Sequence, residues 1–145
     1  MALKDITNYV PLADGLGTSG QPSREQFAEI AEAGYGTVIN LALPDSDHAI
    51  ADEGAIVTGL GMRFAHLPVD FAAPTQQDVK LFLGIMRAVQ FEAVWVHCVV
   101  NLRVSAFCYH YLRVVRGVSE TEARSPILDK WAPQMSDEWK AILAL

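Results

Sequence analysis

A chain of 145 residues with 51% hydrophobic and 19% charged side chains has the make-up of one packed domain, so disorder is excluded and a two-domain enzyme is not expected. Its 17 Asp plus Glu outweigh 11 Lys plus Arg, and a net charge of −6 repels phosphate backbones and acidic lipid. Nucleic acid and membrane surfaces are therefore poor partners. The first eight residues lack the basic start and apolar core of a secretory signal, and no apolar run approaches the roughly 18–20 residues that cross a bilayer, so a cytoplasmic location is expected.

Residues 1–145 read as a single domain without repeats or linkers. Tyr9-Val10-Pro11-Leu12 and Leu16-Gly17-Thr18-Ser19 flank Asp14-Gly15, which predicts two short strands around a turn, with Pro11 restricting the first to a sheet edge. Ser23 with Gln26 has the form of a capping box, and the helix it opens ends at Gly34. Gly36 to Leu41 is β-branched without alternation, as suits a strand buried on both faces. A helix is expected over Ala49 to Leu60, a parallel strand over Arg63 to Leu67 and a helix behind Thr75, with Val79, Phe82, Leu83, Met86 and Val89 as its apolar stripe. Val94 to His97 predicts a third strand, followed by helix from Val104 to about Arg116. Two short helices are expected after it, one behind Ser119/Glu122 and one over Ser136 to Leu143. Alternating strands and helices predict an α/β three-layer sandwich with a central, largely parallel sheet flanked by helices.

Ligands of such sheets sit beyond the carboxyl ends of the strands, which places the chemistry in His97-Cys98-Val99-Val100-Asn101-Leu102-Arg103-Val104-Ser105. A thiol at this turn faces unpaired backbone N–H groups and the positive end of a helix dipole, and both favour thiolate over thiol. The N–H groups of residues 99–105 would cradle a phosphate or sulfate, and Arg103 adds a planar fork that matches two of its oxygens. Cys108, mid-helix among Phe107, Tyr109 and Tyr111, reads as core. Cys108 and His110, two apart, point to different faces of a helix, so neither a metal nor another cofactor is expected.

Val96-His97-Cys98, a short loop, Arg103, Ser105 and an apolar helix together resemble the signature of cysteine-dependent protein tyrosine phosphatases. Within them the chain is most similar to the small bacterial dual-specificity-like group, through Thr18 to Ser23, Thr37 to Leu41, Leu67 to Phe71 and Ala73 to Thr75. The resemblance implies a dual-specificity-phosphatase-like fold and hydrolysis of a phosphomonoester, phosphotyrosine among the candidates, through a cysteinyl-phosphate intermediate. It implies Cys98 as nucleophile, Arg103 with the loop residues Val99, Val100, Asn101, Leu102 and Val104 as the phosphate-binding group, and Ser105 as the residue assisting thiolate departure. The partner would be a phosphorylated small molecule or a phosphoprotein.

The family places five residues between Cys and Arg, whereas four separate Cys98 from Arg103. In one reading the loop keeps its usual length, Val104 takes the Arg position, Arg103 reaches in from beside it, and Asn101 stands where a glycine would. In the other the loop is shorter, with the size of the active loop in rhodanese-type sulfurtransferases, and Cys98 would carry a persulfide. A catalytically silent phosphate- or phosphoprotein-binding module is a third possibility.

Displacement at phosphorus needs a proton donor for the leaving oxygen. Asp70 is the expected acid, since it follows the strand before Pro68, heads a loop running to Pro74 and lies 28 residues before Cys98, close to the family's spacing. Asp45 and Asp47, after the preceding strand, are second choices. His97 is expected to hold backbone rather than act as a base, and His48, His66, His110 and the three tryptophans read as surface or packing residues.

Overall fold

The apolar runs without alternation fill the middle of a five-stranded sheet. The computed structural model describes residues 2–145 and places β1 (Val10–Ala13), β2 (Leu16–Ser19), β3 (Thr37–Asn40), β4 (Arg63–His66) and β5 (Val94–His97) in the order β1-β2-β5-β3-β4. Only the β1–β2 hairpin is antiparallel; β5 pairs in parallel with β2 and with β3, and β3 with β4. Gly15 makes the hairpin turn at φ 69°, and Pro11 lies on the outer strand, where its missing N–H breaks no inner ladder. Every residue of β3 and β5 is buried.

Strand alternation divides those buried side chains between two layers of helix. On one face, Phe27 and Ile30 of α1 (Arg24–Glu32) and Val57 of α2 (Glu53–Gly59) pack with Val38 and Trp95. On the other, Phe82 and Met86 of α3 (Gln76–Val89) and Phe107 of α4 (Leu102–Val114) pack with Ile39 and Val96. The last three helices, α5 (Glu120–Ala123), α6 (Pro126–Trp131) and α7 (Asp137–Leu143), cover α4, which buries every residue from Arg103 to Leu112. A helix enclosed on all sides by sheet and helices belongs to the interior, and that enclosure fixes where its first turn points. The architecture is thus an α/β sandwich with a mostly parallel sheet between helices. Among the described residues no helix is long and apolar enough to cross a membrane.

Three boundaries differ from the sequence reading. Helix α2 starts at Glu53 rather than Ala49, because a turn closed by the Glu53 N–H on the Ile50 carbonyl at 3.1 Å occupies the intervening chain. Helix α4 starts at Leu102 rather than Val104: its N-cap Asn101 is left-handed at φ 73° and makes no side-chain cap, so the usual onset signal is missing. The C-terminal segment holds three helices, not two. Ser125 accepts the Leu128 N–H at 3.1 Å, and Pro126 follows it at the first helical position, which restarts the chain as α6.

Candidate active site

The turn between β5 and α4 is shaped by what holds its carbonyls. The Cys98 carbonyl accepts from His97 Nδ1 at 3.1 Å, the Val99 carbonyl from the Gln21 N–H at 2.9 Å and the Val100 carbonyl from Asn8 Nδ2 at 2.9 Å. The Asn101 carbonyl accepts the Ser105 N–H at 3.0 Å, the first rung of α4. With successive carbonyls drawn away, the N–H groups of Val99 through Val104 have no hydrogen-bond partner among the described residues. Consecutive free amides running into a helix N-terminus make an anion cradle. Asn101 permits this path by adopting the left-handed conformation a short amide side chain tolerates, and its Nδ2 donates to the Asn8 carbonyl at 2.8 Å and to Thr18 Oγ1 at 3.3 Å.

Val99, Val100, Leu102 and Arg103 of the cradle line an open cleft of about 570 Å³, shared with Leu43, Asp45, Asp47, Asp70 and Phe71. Cys98, 1% exposed, lies beneath the loop rather than on the surface. Arg103 also lines the cleft and is only 6% exposed; Nη1 donates to the Val69 carbonyl at 2.9 Å, the guanidinium lies over the Phe71 ring at 5.7 Å from its centroid, and the buried Nε has no partner. A buried N–H without an acceptor is costly, and an oxyanion in the cleft would relieve it. The guanidinium reaches the cleft from Arg103, while the Val104 side chain is fully buried in the core.

Arg103 also joins the cradle to the segment after β4. Asp70 stands between the Val69 carbonyl and the Phe71 ring that Arg103 touches, and Trp139 Nε1 of α7 donates to the Phe71 carbonyl at 2.8 Å. The Asp70 side chain is exposed at the cleft, with Oδ1 accepting the Ala72 N–H at 2.9 Å. It therefore starts a turn and faces the cleft at once. Ser105, buried in the first turns of α4, donates its hydroxyl to the Leu102 carbonyl at 2.7 Å.

Behind the cradle runs a connection that sequence reasoning missed. His97 Nε2 lies 2.7 Å from Glu53 Oε2, and Glu53 Oε1 accepts from Gln21 Nε2 at 2.8 Å, with Glu53 and His97 both buried. Because a carbonyl only accepts, it is Nδ1 that donates to Cys98, and the Glu53 carboxylate holds the other side of the ring. Gln21 thus grips the loop by its backbone and the His97 support by its side chain. Gly20 beside it admits no Cβ, which would collide with the Val99 carbonyl oxygen. The Gly20-Gln21 pair was a visible signal, but Glu53 had none, since its partner is 44 residues away.

Cys108 is fully buried in the core, and desolvation pushes its thiol well above the usual cysteine range, with Cys98 adding to the effect. His66 and His110 each bond a backbone carbonyl through Nε2, to Ala42 at 2.6 Å and to Ile142 at 2.7 Å. No group of three or more His, Cys, Asp or Glu among the described residues could hold a metal ion.

Comparison with known proteins places these features in context. Residues 15–138 match the family described as DSP-PTPase phosphatase fused to NAD+ kinase. A solved protein of the DUF442 group from Shewanella putrefaciens CN-32, described as a candidate phosphatase, is 33% identical over 98% of this chain and 92% of its own, with a TM-score of 0.88. Tk-PTP in its active form superimposes with a TM-score of 0.70 at 21% identity, over 94% of each chain. P. aeruginosa TpbA in complex with phosphotyrosine has a TM-score of 0.64 at 22% identity, over 81% of this chain and 69% of its own. These last two show a shared fold. No curated protein sequence matches the chain.

Proposed function

The chain belongs to the dual-specificity-type protein tyrosine phosphatase family, and on that premise we propose that it hydrolyses a phosphomonoester through a cysteinyl-phosphate intermediate, with phosphotyrosine as the first candidate substrate. The observation that carries this reading is the row of free amides from Val99 to Val104 beside the unpartnered Nε of a buried Arg103, next to a cysteine. The phosphate would lie in that cradle, its equatorial oxygens held by the amides and the guanidinium.

Cys98 Sγ, as thiolate, attacks phosphorus; the S–P bond forms as the ester P–O bond breaks, and Asp70 gives its proton to the leaving oxygen. A water then attacks phosphorus and passes a proton to Asp70, while the S–P bond breaks and the thiolate returns. The cradle donors stay fixed throughout, and this preorganised field stabilises charge on the equatorial oxygens. Ser105 would assist thiolate departure once its hydroxyl turns from the Leu102 carbonyl it now engages. Pinning of the Asp70 segment by Arg103 and Trp139 supports an acid held in place before substrate arrives.

One preparation assayed against a phosphotyrosine peptide, an activated aryl phosphate, and thiosulfate with cyanide tests the reading. The expected result is phosphate release from both esters. Asp70→Asn should slow the peptide by about 10²–10⁴ and the activated ester much less, because only the poorer leaving group needs the proton. Thiocyanate formation indifferent to Asp70→Asn, without phosphate release, would instead mean persulfide chemistry at Cys98. Phosphate binding without either product would mean a binding module.

A further inference from the structure

The cleft that holds the cradle has an acidic rim. Asp45 and Asp47, from the turns between β3 and α2, and Asp70, from the segment after β4, all line it, and all three side chains are exposed. None has a basic partner among the described residues. Arg103 is the one basic residue in the same lining. A bound phosphate dianion would more than match the Arg103 charge, leaving the rim carboxylates to act on whatever the phosphate is attached to. With Asp70 protonated as the acid, Asp45 and Asp47 still remain.

The same lining is partly apolar: Phe71 and Val100 are both 42% exposed. The neighbouring basic groups do not reverse the sign at the rim. Arg24, in a groove on another side of Val100, is ion-paired with Asp52, and Lys130 lines a separate groove beside Trp131. Charges on a rim act across about a Debye length, roughly 8 Å at physiological salt.

We infer that the substrate is a phosphomonoester whose leaving group carries positive charge on an apolar or aromatic body, an ammonium or guanidinium meeting Asp45 and Asp47 while the apolar part lies against Phe71 and Val100. The inference rests on the phosphatase reading and narrows its substrate. Acidic phosphopeptides and polyphosphorylated headgroups are disfavoured by the same carboxylates.

Two matched pairs test it. The small pair is O-phosphotyramine and phosphorylated 3-(4-hydroxyphenyl)propionate, whose phenolic leaving groups differ chiefly in an ammonium against a carboxylate. The peptide pair is one phosphotyrosine sequence flanked by Arg or by Glu. At low ionic strength the cationic member of at least one pair should have the larger kcat/KM, by about tenfold, the scale of two solvent-exposed ion pairs. A preference confined to the small pair would identify a small amine phosphate; one that includes the peptides would identify a basic phosphoprotein.

The ratio should shrink toward one in 1 M salt and in the Asp45→Asn/Asp47→Asn double variant. Turnover with a ratio at or below one in both pairs overturns the inference and leaves the phosphatase reading standing. A preference indifferent both to salt and to the double substitution overturns it as well. If no ester is turned over, binding of the same four compounds to Cys98→Ser decides: a cation preference keeps the inference while the catalytic reading falls. Equal binding overturns the inference, and binding of none overturns both.

Discussion

The two cysteines are equally hidden, yet their surroundings differ. Cys98 and Cys108 are 1% and 0% exposed, ten positions apart, one just before α4 and one in its middle. Around Cys108 the helix satisfies its own amides and the side chain packs in the core, so burial, with Cys98 adding to it, pushes the thiol up and holds it in its protonated form. Around Cys98 the carbonyls of the loop are tied back by His97, Gln21 and Asn8, leaving amides free. Backbone direction, rather than exposure, separates the surroundings of the two thiols.

The largest expected effect comes from exchanging the two roles. Cys98→Ser should abolish turnover, whereas Cys108→Ala should keep it and cost about 1–2 kcal/mol of stability through a small cavity, read by urea unfolding. Loss of turnover in a folded Cys108→Ala would break the contrast. Next is Arg103→Lys, which keeps the charge and removes the fork; kcat/KM should fall about 10²–10³, the scale of losing an oriented donor in an anion site.

A smaller effect, about tenfold in turnover, is expected for Glu53→Gln, because it acts on the cradle only through His97. The same variant should slow iodoacetamide labelling of Cys98 and leave Cys108 as it was. Equal changes at both thiols would show a general loosening instead of a positioning role.

The smallest effect is at the other side of α4. Burial, with the Arg113 charge behind it, pulls His110 below the usual histidine range. The unfolded chain therefore takes up a proton near pH 6.5 that the fold refuses, so stability is lost as pH falls below about 6.5 and the loss levels off below the folded value. His110→Gln should show less loss between pH 7 and pH 5 in urea titrations, with turnover at pH 7 little changed. An identical slope in both proteins would remove His110 from the account.

What the sequence disclosed follows the range of the interactions involved. The capping box at Ser23/Gln26 and the N-cap at Thr75 are closed within three residues and were readable directly. So was β5, whose unbroken apolar run needs both faces covered. The β5–α4 loop was read as a cradle because a buried strand running through a short loop into a helix N-terminus is a local pattern, but its supports were not legible. Asn8, Gln21 and Glu53 reach it from far along the chain, and no local pattern marks a residue whose partner is supplied by the fold. The early start of α4 was hidden for a related reason, as Asn101 spends its side chain on Asn8 and Thr18 instead of capping the helix.

The central claim is that the cradle presents phosphorus to Cys98. Rapid quenching of a phosphotyrosine-peptide reaction, followed by peptide mass analysis, reads it most directly, with Asp70→Asn alongside wild type. The account predicts a phosphoryl group on the Cys98 peptide during turnover, none on the Cys108 peptide, and none in Cys98→Ser. Continued phosphate release by Cys98→Ser, or turnover by the wild type with no phosphoryl group ever found on Cys98, would contradict it.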